Sequence, residues 1–274
     1  MLDKVIVIYA IIDDILKAIG HFDDCRRQMS DAEILTTALV AALFFYGNHA
    51  HACRYMQEQG LVSQMLGKSR FSRRLHQLSD LMYELFHQLG MAFKHLHNTT
   101  EYLLDSFPIP ICDNIRIRRC RLTQSKEYRG YIASKRRYFY GVRVHLLATS
   151  SGIPVEFIFL PGSAHDLRGL QALPLALPVG SEIYADKAYT DYQIEDNLQL
   201  LEEIHLQAIR KKNSRRFDTP WLQFYKQSTR HQIETVFSQI TQRFPKTIHA
   251  VTMKGFLLKL SAFIFAFTLE QAFL

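Results

Sequence analysis

Tyr-Leu-Leu-Asp-Ser-Phe-Pro-Ile-Pro (102–110) is an apolar, strand-forming run with one acid, Asp105, set inside it. An ionised carboxylate in such a run is costly to bury unless it is ligated or hydrogen-bonded. The run spans part of a candidate strand, Glu101 to Ile111, and the chain changes texture there. Downstream, Tyr138 to Thr149 alternates apolar and polar residues, which predicts a half-buried strand. Ser150-Ser151-Gly152 supplies a turn, and Ile153 to Leu160 returns as a hairpin partner. Asp166 to Leu175 reads as a helix, Ser181 to Ala185 as a short strand and Tyr192 to Glu203 as a helix. Leu206 to Ile209 is another strand. Lys211 to Pro220 is a polar, basic loop. Arg230 to Arg243 and Met253 to Phe273 are the closing helices. The order is strand, hairpin, helix, strand, helix, strand, helix, which predicts a mixed sheet with helices on its faces, an α/β or α+β arrangement.

Upstream, residues 1 to about 98 contain no proline and almost no strand signal. They read as an all-helical N-terminal domain over 1–98, followed by a second domain over 99–274. Ser30 with Glu33 three residues later is a capping-box pattern ahead of a long apolar helix. Gly47, Asn48 and His49 break that helix, and a second covers Ala50 to Gln59. Ser69 opens a further helix over 69–86, with Phe71, Leu75, Leu78, Leu81, Met82 and Leu85 as its apolar face. The length of 274 residues by itself suggests one large domain or two smaller ones. There is no internal repeat or low-complexity segment.

Apolar residues make up 48% of the chain, ample for a packed core, and the formal net charge of +7 suits a polyanionic partner such as nucleic acid. The cysteines, Cys25, Cys53, Cys112 and Cys120, have no zinc-type spacing and read as reduced packing thiols in a cytoplasmic protein. Cys112 and Cys120 could approach each other across a turn. No secretory leader is visible. Ile34 to Tyr46 is too short for the roughly 20 residues of a membrane span. Phe256 to Phe273 is interrupted by Lys259 and Glu270. Both read as buried helices, and no membrane partner is expected.

Two further acids stand in distinctive settings. Asp186 ends the apolar run Glu-Ile-Tyr-Ala-Asp-Lys-Ala-Tyr-Thr-Asp (182–191), and Glu234 lies in the helical stretch Thr-Arg-His-Gln-Ile-Glu-Thr-Val-Phe-Ser-Gln-Ile (229–240). Two Asp at strand ends and a Glu on a later helix can converge on divalent metal ions. Magnesium takes hard oxygen ligands and keeps several waters, so few carboxylates suffice. Two such ions can clamp an in-line phosphoryl displacement. Asp113 and Asp166 compete as extra or alternative ligands, although Asp166 reads more readily as part of a helix cap. Asp191 reads as the N-cap of the next helix.

These segments resemble the DDE transposases of bacterial insertion sequences. Leu-Asp-Ser-Phe-Pro-Ile-Pro-Ile-Cys-Asp-Asn (104–114) is similar to the first-Asp region. Tyr-Arg-Gly-Tyr-Ile-Ala-Ser-Lys-Arg-Arg-Tyr-Phe-Tyr-Gly (128–141) is similar to the basic segment entering the second strand. Tyr-Ala-Asp-Lys-Ala-Tyr-Thr-Asp (184–191) is similar to the second-Asp motif, and Arg230 with Glu234 to the third. The resemblance implies an RNase H-like catalytic core in which Asp105, Asp186 and Glu234 hold Mg2+, two ions, with Mn2+ able to substitute. It implies metal-dependent cleavage at transposon ends and transfer of the freed 3′-hydroxyl into target DNA. The chain departs from the family at two positions. A Tyr is often found seven residues before the Glu and a Lys or Arg seven after; here these are Gln227 and Thr241.

Several basic residues are candidate DNA contacts. Arg230 lies one helical turn before Glu234. Lys135, Arg136 and Arg137 precede Tyr138, Phe139 and Tyr140, a mixture of cations for phosphates and rings for bases. Arg116, Arg118, Arg119, Arg121 and Lys126 form another such run, whereas Lys211, Lys212, Arg215 and Arg216 read as a mobile loop near the site. Arg70, Arg73 and Arg74 gather with Lys68 at one helix start, as a groove-entering helix requires. The expected partners are double-stranded DNA, as terminal inverted repeats and as target, and a second copy of the chain in a homodimer near the bacterial nucleoid. A nuclease that cuts without joining and an inert DNA-binding regulator are the alternatives.

Overall fold

The computed structural model describes residues 1–24, 26–96, 100–132, 135–245 and 247–274, without the side chains of 113–116. Cys25 and the expected domain boundary at 98/99 therefore lie outside the described residues, as does the Asp113 side chain. The chain divides into two compact units, Met1–Leu89 with Gln239–Leu274, and Gly90–Ser238.

The first unit is helical. It holds α1 (Leu2–Ala18), α2 (Asp31–Phe44), α3 (His49–Glu58), α4 (Lys68–Gln77), the start of α5 (Ser79–Leu96), and α9 (Met253–Phe273). Ser30 and Glu33 form the expected capping box: the Ser30 side chain accepts from the Glu33 N–H at 3.0 Å, and the Ser30 N–H donates to Glu33 at 2.7 Å. α2 and α9 are apolar nearly all round and buried nearly all round, so they form the middle of the unit. α1 packs on α2 and buries one stripe, Val5, Ile8, Ile12 and Leu16. α9 is long and apolar enough to cross a membrane, but Phe256 and most of Leu258–Leu269 are packed inside the protein. The sequence grouped 239–274 with the preceding strands. By packing, the segment groups with the N-terminal helices, because α9 has no polar face to leave in solvent.

The helix expected over 69–86 is two helices. α4 stops at Leu78, whose N–H is shared between the Arg74 and Leu75 carbonyls, and Ser79-Asp80 restarts the chain as α5. Ser and Asp compete for local hydrogen bonds and so favour helix ends; the Ser79 hydroxyl donates to Asp80.

The second unit is built on a six-stranded mixed sheet. β1 (Glu101–Asp113) is central. β3 (Arg137–Thr149) runs antiparallel to it, and β4 (Pro154–Pro161) antiparallel to β3. On the other side, β5 (Glu182–Ala185) and β6 (His205–Ala208) run parallel to β1 in turn. The order β4-β3-β1-β5-β6 is that of an RNase H-like sheet. β2 (Arg129–Ile132) is an addition the sequence did not predict, a short arm paired with Arg137–Tyr140. α6 (Asp166–Ala172), α7 (Tyr192–Leu201) and α8 (Pro220–Arg243) flank the sheet. Asp191 caps α7 as expected, accepting from the N–H groups of Gln193 and Ile194. α8 begins ten residues before Arg230, with Pro at its first position, where no N–H is needed. Buried Lys94 ties the end of α5 to β4. Its ammonium lies 2.7 Å from Glu156 and donates to the Leu175 carbonyl at 2.8 Å.

Candidate active site

The parallel ladder between β1 and β5 ends at Leu104 opposite Ala185. The next residue on each strand is an aspartate, Asp105 and Asp186. Neighbouring strands lie about 4.8 Å apart, so two carboxylates leave the carboxyl end of the ladder side by side. Ligand sites of open sheets with parallel strands gather at that end. Both line one small cavity, together with Leu104, Arg230 and Ile233. The two expected acids are thus brought together by strand register alone.

Asp105 is only partly open to solvent and accepts the Ser106 N–H at 2.7 Å. Burial pushes its carboxyl up to about 7, and the neighbouring Asp186 and Asp166 carboxylates push the same way; the Ser106 N–H and Arg230 pull it down. Asp186 accepts the Lys187 N–H at 2.7 Å and caps the single 3₁₀ turn that follows.

Glu234 lies on α8, four residues after Arg230. The Arg230 guanidinium is 3.0 Å from Glu234 and 3.7 Å from Asp186, so it bridges the two acids. Its Nε is buried with no hydrogen-bond partner. Glu234 is 48% exposed and does not line the cavity of the two aspartates. The expected triad is therefore assembled in two parts, an aspartate pair and a glutamate linked to it through arginine. Among the described residues, the only three acid or imidazole groups with ligand atoms within 4.8 Å of one another are His21, Asp23 and Asp31 in the helical unit.

A polar layer under the aspartates was not foreseen. The Ser106 hydroxyl donates to Asp166, and Arg143 donates to the same hydroxyl at 3.1 Å. Asp166, an alternative ligand in the sequence, is thereby committed to Ser106 and to Arg143 at 3.6 Å. Behind them His145 meets the Tyr189 hydroxyl at 3.3 Å, and burial lowers its imidazole to about 4. The register pairs Ser106 with His145 across β1 and β3, which is the signal that could have found this layer. Lys226, also on the cavity wall, is neutralised by Asp218 at 2.9 Å.

The basic candidates separate into different roles. Lys135, Arg136 and Arg137 are exposed at the entry to β3, and Arg136 takes a positive φ of 47°. Tyr138 is half-exposed, its ring tilted against Tyr131 with centroids 5.0 Å apart and lying under the Arg129 guanidinium at 4.2 Å. Arg70 and Arg73 are exposed on α4. Arg74 is not available in the same way: it is 17% exposed, 2.5 Å from buried Asp31, and donates to the Met29 carbonyl. His21 and Arg27 meet the same carboxylate.

The donor set at the aspartates is carboxylate oxygen, which suits a hard divalent cation. A carboxyl raised by burial, and further by neighbouring carboxylates, is one whose charged form such a cation would favour. A family model described as Transposase DDE domain matches residues 96–250. Among solved structures, the chain is similar to the protein in a cryo-EM structure of a piggyBac transposase synaptic complex with hairpin DNA. The identity is 11% and the TM-score 0.46, over 98% of this chain and 73% of that one. No curated protein matches.

Proposed function

Because the chain belongs to the family of the transposase DDE domain, we propose that it cuts DNA at the ends of a bacterial insertion sequence and joins the freed 3′-hydroxyl to target DNA. The observation that carries this reading is the pair Asp105 and Asp186, set at adjacent strand ends beside Arg230 and Glu234. Asp105, Asp186 and Glu234 would hold the magnesium ions, which when bound polarise the attacking and leaving oxygens of a phosphodiester.

The other roles belong to the chain itself. The backbone N–H groups of Ser106 and Lys187 orient the two aspartates. Arg143 and Asp166 fix the Ser106 hydroxyl next to Asp105. Arg230 holds Glu234 toward Asp186, and its guanidinium can meet a phosphate oxygen between them. Exposed Lys135, Arg136, Arg137, Arg70 and Arg73 supply cations for the DNA backbone away from the reacting bond. Two transposon ends must be held together, so the working species is a homodimer on double-stranded DNA in the cytoplasm.

The test is a strand-transfer reaction with pre-cut ends and a supercoiled plasmid. Joined product supports the transposase. Cleavage of uncut ends without joining of pre-cut ones moves the assignment to a nuclease.

A further inference from the structure

A second recess adjoins the aspartates. It is an open cleft of about 480 Å³, walled by Asp186, Lys187, Lys211, Lys212, Arg230 and His231 among others. It shares Asp186 and Arg230 with the cavity that holds Asp105. Three pieces of backbone form it: the turn after β5, the segment leaving β6, and the outer side of α8.

Not every cation near this cleft is available. Arg210, also on its wall, is held by Glu195 at 2.6 and 2.9 Å. Arg216, further along the loop, is held by Asp196 at 2.8 Å and by Glu195 at 3.2 Å. Lys187, Lys211 and Lys212 differ. They are exposed and have no ion-pair partner among the described residues. The loop that carries Lys211 and Lys212 is nonetheless pinned. The Ser214 N–H closes a turn on the Lys211 carbonyl at 2.9 Å, the Ser214 hydroxyl meets Tyr192 at 2.7 Å, and the Arg215 N–H donates to Tyr192 at 2.9 Å. Two ammonium groups are thus presented on a fixed turn, with a third from Lys187 and only Asp186 to offset them. Like charges gathered around one recess repel unless a polyanion neutralises them.

We propose that this cleft is the docking groove for the phosphate backbone of the DNA strand on one side of the bond to be cut, with Lys187, Lys211 and Lys212 as its phosphate ligands. This assignment rests on the transposase reading. The shared Asp186 and Arg230 put the groove directly beside the reacting phosphodiester. Its ligands are flexible point charges, so the grip is sequence-independent and sets position rather than specificity.

The test uses the full chain, a short random-sequence duplex and a chelator, so that no bond is cut, and measures affinity across a range of salt. Each lost phosphate contact flattens the slope of log K against log salt by about 0.9. Lys211→Gln and Lys212→Gln should each do so. Arg215→Gln removes the same charge from the same loop, away from the cleft wall, and should keep the wild-type slope. Wild-type slopes in both lysine variants, with native circular dichroism, would overturn the groove. So would an equal flattening by Arg215→Gln, which would show a general charge effect. If the wild-type chain itself shows no salt-dependent DNA binding, the transposase reading fails first and the groove with it.

Discussion

Asp105 carries the strongest single-residue prediction. Its carboxyl is held up to about 7 by burial, so between about pH 4 and pH 7 the folded chain binds a proton there more tightly than the unfolded chain does. That contribution is present at low pH and is lost as pH rises through 7. In metal-free protein, Asp105→Asn should therefore gain roughly 1–3 kcal/mol relative to wild type between pH 4 and pH 8, read from denaturant midpoints at the two pH values; parallel changes in both proteins would contradict the assignment. Magnesium at pH 8 should raise the wild-type melting temperature, by an amount equivalent to about 2.7 kcal/mol at a hundredfold excess over Kd. The Asp105→Asn protein should not respond. Asp105 was legible because an acid inside an apolar strand has few bland explanations. Arg74 was not: its partner Asp31 lies 43 residues away in sequence and reads as an ordinary first-turn helix acid. The arginine bridge between Asp186 and Glu234 was half legible, since helical spacing gives the Arg230–Glu234 pair but not its reach to Asp186.

At the scale of elements, the pieces that position the site should be sensitive far from the acids. α6 carries Asp166, and Gly169 lets it approach β3. A Cβ at Gly169 would lie 2.1 Å from the His145 imidazole, so Gly169→Ala should cost about 1–3 kcal/mol and lower activity through the displaced Asp166–Ser106 contact. A fully stable and active variant would show that α6 does not hold the layer under Asp105. Lys94 and Glu156 are a buried pair. Glu156→Gln leaves the ammonium with the Leu175 carbonyl and no counter-charge, and should cost about 3–5 kcal/mol in thermal unfolding. A near-neutral result would mean that Lys94 reaches solvent. The long elements were read well, because α2, β1, β3 and α9 have strong periodicity or clear caps. β2 was missed because four residues of mixed polarity carry no period. The first ten residues of α8 were missed because Trp221 and Phe224 face solvent, which removes the amphipathic signal.

For the whole molecule, the net charge of +7 agrees with the DNA substrate proposed for this chain, and the order of elements pointed to the right sheet. Chain order could not show that α9 packs with the N-terminal helices, because that pairing depends on two helices far apart in sequence, each buried nearly all round and each in need of the other's cover. The central claim is that Asp105, Asp186 and Glu234 form one metal-dependent centre for cutting and joining DNA. The most direct measurement is strand transfer by the purified chain with magnesium, pre-cleaved transposon ends and a supercoiled plasmid. It is run beside Asp105→Asn, Asp186→Asn and Glu234→Gln. The prediction is joined product from the wild type, a loss of about 10²–10³-fold or more in each variant, and DNA binding largely retained in all of them. Unchanged joining in any of the three variants would contradict the account.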